Sequence, residues 1–230
     1  MPYDLEPRYP VIGGDVEYGF EPLARAVIGE SPVLAIDGPA AVSWGPFIAE
    51  LVTALGGIPI RTVDARDHVI GWPEIEKRTD GTVLRGDPVF ATIHDAPLAS
   101  LFAAPLPDLR ADGVLTIVFG PGSALFHHDA LWYADLPKRR GLDAIEAGRA
   151  PNVGQPQGTR GDVRRLLFID WPMEDRHRRD LAERWERYID LSDPSAPRSL
   201  SASALSASLM HLVSGPFRTR PRFLPEPWGG

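Results

Sequence analysis

The chain has 230 residues, with 31 acidic against 24 basic side chains and a formal net charge of −7. That length holds one domain with a proper core, or one domain and a tail. The acidic balance excludes the basic stripe a nucleic-acid binder uses to displace counterions, and it has the wrong sign for an anionic membrane surface.

Cysteine is absent, so disulfides, thiolate catalysis and cysteine-ligated metals are excluded, which fits a reducing cytoplasm. No apolar h-region opens the chain, and no apolar run approaches the roughly 18 residues of a membrane span. The expectation is a cytoplasmic protein without nucleic-acid or membrane partners.

Residues 1–14 read as a polar, proline-rich lead-in. Apolar residues at helical spacing (Phe20, Leu23, Ala24, Val27) predict a helix over 18–28. Pro32 to Asp37 is a short apolar run ending in Asp-Gly, as a buried parallel strand reads. A helix over 44–55 comes next, with Phe47, Ile48, Leu51, Val52 and Leu55 on one face and Gly56-Gly57 as its stop. Ile58 to Val63 is the next strand and closes a βαβ unit on Asp64.

The stretch 67–107 is less regular, with short helical pieces at 72–77 and 97–102 and a break at Gly86-Asp87-Pro88. Strands are predicted over 113–119, 131–135 and 165–170. Helices are predicted over 137–147, 173–188 and 200–213. The Gly-, Pro-, Gln- and Asn-rich stretch 151–162 reads as a mobile loop, and prolines extend 215–230 as a tail. Strands alternating with helices predict an α/β fold with a doubly wound parallel sheet of about five strands, whose ligands bind beyond the carboxyl ends of the strands.

The strand–loop–helix from Val33 to Leu55 has the shape of a phosphate-binding unit. Such a loop needs G-x-x-x-x-G-K-[ST], in which glycines turn N–H groups to the phosphates, lysine neutralises charge and a hydroxyl binds magnesium. Here it reads Gly38-Pro-Ala-Ala-Val-Ser43-Trp44-Gly45, so Ser43, Trp44 and Gly45 stand at the positions of the second glycine, the lysine and the hydroxyl. The triphosphate charge is left uncompensated, and an indole at the lysine position is expected to occupy the phosphate site. The start of the helix still favours an anion through Gly38 and Ser43; the bland reading is a tight βα turn.

Other polar groups admit functional and structural readings together. Asp37, Asp64 and Asp170, all expected at strand ends, suit a general base or a magnesium ligand, or merely cap the helix or turn after each strand. Arg176 and His177, beside Asp175, suit ligand contact near the strand ends, or form a solvated helix face. Arg140 and Arg165, with Arg139, Arg160 and Arg164 around the loop, suit a phosphate clamp, or a charged surface. His127-His128 are adjacent and so diverge, which argues against a shared metal ion.

These residues carry two resemblances. Val33 to Ala40 (Val-Leu-Ala-Ile-Asp-Gly-Pro-Ala), with Phe119-Gly-Pro-Gly122 and Tyr133-Ala-Asp-Leu-Pro137 in that order, resembles uridine-kinase-like P-loop proteins. This resemblance implies a P-loop-kinase-like three-layer sandwich over 15–214. The stretch 216–230, running through prolines into Trp228-Gly-Gly230, resembles the opening segment of class I mannose-6-phosphate isomerases. Phe168-Ile-Asp-Trp-Pro172 with Asp175-Arg-His177 after it is similar to a domain that precedes the isomerase cupin in some bacterial proteins.

Together they imply a degenerate, non-catalytic pseudo-kinase domain in carbohydrate metabolism, with a cupin domain beginning at 215–230 and continuing past Gly230. They imply no cofactor in this chain, zinc in the cupin, and as partners that cupin domain and a second copy in a homodimer. Two alternatives stay open. One is an active nucleoside or sugar kinase using Mg-ATP through an atypical loop. The other is a sensor of nucleotide or sugar phosphate.

Overall fold

A computed structural model describes residues 8–28, 32–80, 86–87, 89–109 and 114–215. The chain runs β1 (Glu17–Tyr18), α1 (Phe20–Ile28), β2 (Val33–Asp37), α2 (Trp44–Ala54), β3 (Ile60–Asp64), α3 (Trp72–Thr79), β4 (Leu115–Phe119) and β5 (Ala130–Asp135). It continues through α4 (Lys138–Glu146), α5 (Val163–Arg165), α6 (Trp171–Leu181), β6 (Arg187–Asp190), β7 (Arg198–Ser201) and α7 (Ala202–Ser214). Among the described residues seven strands form one mixed sheet in the order β1-β7-β6-β5-β2-β4-β3. The pairs from β6 to β3 are parallel, and β7 and β1 close one edge antiparallel.

β2 is the middle parallel strand and all five of its residues are buried. Its register pairs Ala35 with Val118 on one side and Leu131 on the other. Successive side chains of a strand point to opposite faces, and the core divides accordingly. Leu34 and Ile36 pack with α1 (Leu23, Val27) and α2 (Phe47, Leu51) on one face. Val33 and Ala35 pack with Ile75 of α3 and Met173 and Leu181 of α6 on the other. Each such large buried side chain contributes roughly 1.5–3 kcal/mol of transfer free energy.

The helix after β2 lies on one face, and α6, which lies between β5 and β6 in the chain, on the other. The crevice between the carboxyl ends of β2 and β5 is therefore where the winding reverses, the usual ligand position in such a sheet.

The predicted α/β class and the first four parallel strands are present, but the described sheet has seven strands rather than about five. The fifth parallel strand is β6, not 165–170. Residues 163–181 form a continuous helical run in which Leu166–Asp170 make a π turn between α5 and α6. A five-residue apolar run does not by itself distinguish a buried strand from a helical segment. Here the side chain of Asp162 caps the run by accepting from Arg165 N–H at 2.6 Å, which commits it to a helix.

The stretch 151–162, expected as a mobile loop, is a loop with an exposed middle whose two ends are tied together. Asn152 is buried, donates to Asp170 Oδ2 at 2.6 Å and exchanges two further bonds with the Asp162 backbone. Among the described residues no helix is long and apolar enough to cross a membrane. The lead-in over 8–14 has no regular element but is tied to α7 by Ile12 N–H donating to Ser208 Oγ. The stretches 1–7 and 216–230, the latter carrying the isomerase-like tail, lie outside the described residues.

Candidate functional site

The loop after β2 begins with a close approach that only glycine permits. A Cβ on Gly38 would stand 2.0 Å from the carbonyl oxygen of Ala134 at the end of β5. The chain then turns through Pro39 to Ser43 into α2. Trp44 does not occupy the space above the loop, contrary to the sequence expectation. Its ring is buried beneath it against Phe47 and Phe119, and Nε1–H donates to the Pro39 carbonyl at 3.1 Å. An apolar core accepts an indole where an ammonium would have stayed near solvent.

The loop's N–H groups, which would cradle a phosphate, are in part already used. Ala40 N–H donates to Glu174 Oε1 of α6 at 2.7 Å, Val42 N–H to Pro39 O, and Trp44 N–H to Val42 O. Glu174 is buried, and burial pushes its carboxyl up to about 8, against the opposing pull of the Ala40 N–H. At neutral pH it is largely protonated, and in either state an oxygen accepts the loop's N–H.

Beside Glu174 lies the crevice between β2 and β5, a cavity of about 100 Å³ that Tyr133, Asp135, Lys138 and Arg178 also line. Asp135 accepts from the Tyr188 hydroxyl at 2.6 Å and pairs with Arg178 at 3.1 Å. Burial first, then the Asp135 charge, raises the Tyr133 and Tyr188 phenols above their usual range, so both stay neutral. Lys138 is bound to Asp175 at 2.6 Å and lies over the Trp171 ring. The crevice thus holds two cations, each with a carboxylate partner.

The residues singled out in the sequence do not converge. Ser43 starts α2 without a side-chain cap and is exposed, sharing with Arg140 the wall of a cavity of about 410 Å³. Arg165 is turned inward. It donates to Thr79 Oγ1, faces Asp170 at 3.4 Å and covers the Trp72 ring. Asp170 lies on the π turn rather than at a strand end, and burial raises its carboxyl to about 6 despite Arg165. These two residues brace helices and do not form a clamp.

Arg176 donates to the carbonyls of His94 and Ala96. Asp64 is held by Arg66 through both carboxylate oxygens. Asp37 and His177 do meet, with Nε2 at 3.0 Å from Oδ2, and the same oxygen accepts Ala124 N–H at 2.8 Å. His177 faces a separate cavity of about 240 Å³.

His127 stands 3.9 Å from Asp129 while His128 bonds the Phe126 carbonyl, so the adjacent pair diverges as its spacing implies. Among the described residues no group of three or more histidine or acidic side chains is placed to hold a metal ion.

Glu174 and Tyr133 are the functional candidates that sequence reasoning missed. The available signal for Glu174 was an acid placed directly after the buried Met173 in the first turn of α6.

No curated protein and no solved structure matches the chain. A family model matches residues 19–214, which run from the residue before α1 to the last residue of α7. The chain belongs to the family described as Domain of unknown function (DUF8485).

Proposed function

We propose that this chain is a P-loop-kinase-like domain that has given up phosphoryl transfer and serves as an accessory domain of a mannose-6-phosphate isomerase-like protein. The observation that carries the loss of catalysis is the Glu174 carboxyl on the Ala40 N–H. It takes a donor that a phosphate would need and sets a carboxyl, mostly neutral, where a cation is required to balance phosphate charge. Trp44 adds to this, because position 44 points into the core and delivers no side chain to the loop's outer surface. The strand–loop–helix order around β2 and the crevice at the sheet's reversal support the kinase-like part of the reading. The isomerase-like stretch 216–230 supports the accessory role. On this reading zinc belongs to a cupin domain following Gly230, and this domain supports, orients or dimerises it.

A sensor of nucleotide or sugar phosphate is the second reading. It is favoured by the cavity that Ser43, Arg140 and Arg149 share at the start of α2. Calorimetric titration with Mg-ATP and with mannose 6-phosphate separates the two. The accessory reading predicts saturable heat from neither, the sensor reading predicts binding without turnover, and ATP hydrolysis or transfer to a sugar or nucleoside overturns both. Reading the coding sequence downstream of Gly230 tests the isomerase link, for which an in-frame cupin with His and Glu ligands is the expected result.

A further inference from the structure

We infer that the cavity beyond the carboxyl ends of β2, β4 and β3 binds a neutral, polyhydroxylated small molecule of monosaccharide size. The cavity measures about 260 Å³ and is bounded by Ala40 after β2, Asp64 at the end of β3 and Pro121 after β4. It lies at the carboxyl edge of the sheet, on the β4 side of β2 and beside the β2–β5 reversal. It is smaller than the roughly 300–1,000 Å³ pockets that enclose drug-sized molecules, which sets the size class.

Its chemistry sets the rest. The wall carries one aromatic ring, Trp72, and the planar polar groups of Asp64, Arg66, Asp67, Gln155 and Gln157. With Asp64 and Arg66 bound to each other, the Asp67 carboxylate and the Gln155 and Gln157 carboxamides offer the acceptors and donors that vicinal hydroxyls need, because each hydroxyl both gives and accepts a bond. An indole suits the C–H face of a sugar ring, whose slightly positive hydrogens meet the negative face of the π system.

Charge argues against an anionic ligand. The cavity has two carboxylates to one guanidinium, and Arg66 is already gripped by Asp64. A phosphate ester would meet Asp67 without a free cation to offset it.

The wall is also held in place before any ligand arrives. The Arg165 guanidinium lies 4.7 Å from the Trp72 ring centre and fixes the indole. Gln155 Oε1 accepts Asn152 N–H at 2.8 Å, which orients the carboxamide and leaves its NH2 to donate. Asn152 is itself tied to Asp162 and Asp170. Such preorganisation lowers the ordering cost of binding. The inference does not rest on the accessory-domain reading: Ala40 both bounds this cavity and meets Glu174, but the groups proposed to bind the ligand lie elsewhere on the wall and would serve an isolated domain equally.

The test is a titration of the full chain, in separate experiments, with D-glucose, D-mannose, D-galactose, mannose 6-phosphate and uridine. Binding is followed by the 1H–15N signal of the Trp72 indole, identified with Trp72→Phe. The expected result is a saturable shift with at least one free hexose, weakened about tenfold in each of Asp67→Ala and Gln155→Ala. Asp67 is exposed, so its variant keeps the fold. The inference is overturned if no hexose saturates the signal, if both variants bind as the parent does, or if mannose 6-phosphate or uridine binds more tightly than every free hexose.

Discussion

Glu174 shows how one buried acid alters a loop. Its folded carboxyl lies at about 8 against an ordinary 4.5, and burial is the leading cause. A group whose folded value is raised holds its proton more tightly in the folded chain. Its contribution is fully present below about 4.5 and is lost as pH rises through about 8. Asp170 acts in the same direction but over a lower window, from 3.8 to about 6. Between pH 6 and 8 the decline therefore belongs chiefly to Glu174 and amounts to roughly 2–3 kcal/mol. Glu174→Gln keeps an oxygen for the Ala40 N–H and removes the titrating proton, so its thermal midpoint should stay flat over that interval while the parent's falls. Equal slopes in a melting series would remove Glu174 from this role. Trp44 gives a second residue-scale prediction. Trp44→Lys puts a lysine at the position where a phosphate-binding motif carries one, but this position lies in the core, so the variant should lose about 3–5 kcal/mol in denaturant titration and gain no ATP binding.

The helical run through Leu166–Asp170 is the element where sequence and structure part. Leu-Leu-Phe-Ile-Asp reads as a strand because periodicity is ambiguous over five apolar residues. Polar contacts decide it. Asp162 caps the run, Arg165 reaches Thr79 on α3, and Asn152 holds Asp170 from the opposite side. Thr79 and Asn152 lie far from their partners in the chain, so spacing alone did not disclose them. The arrangement predicts that Arg165→Ala, which strands the buried Asp170 carboxylate, costs about 3–5 kcal/mol. Adding Asp170→Asn should recover part of that loss, a coupling that a double-mutant cycle in urea would reveal. Strictly additive losses would mean that the two side chains do not act together. By contrast α2 was legible from Phe47, Ile48 and Leu51, whose helical spacing matches the buried face, with Gly56 and Gly57 at positive φ as its stop.

For the whole molecule, the α/β class and the central β2–α2–β3 unit could be read from two short strand-like runs that end on Asp37 and Asp64, the first fully buried and the second, at the sheet's edge, only partly so. The antiparallel edge could not. β7 is four residues of Arg-Ser-Leu-Ser and β1 only two residues, too short and polar to stand out. The candidate site was half legible. Gly38 and the absent lysine are visible in the chain, whereas the Glu174 carboxyl reaches Ala40 across 134 residues of sequence and only folding brings the two together. The sheet thus has a crevice where its winding reverses, and on the proposed reading the Glu174 side chain occupies part of the neighbouring loop that a phosphate would need. The most direct check is isothermal calorimetry of the full chain with Mg-ATP up to about 1 mM, a concentration that detects affinities down to the weak end of nucleotide binding. A loop closed in this way predicts no saturable heat; stoichiometric Mg-ATP binding, with or without phosphoryl transfer, would contradict it.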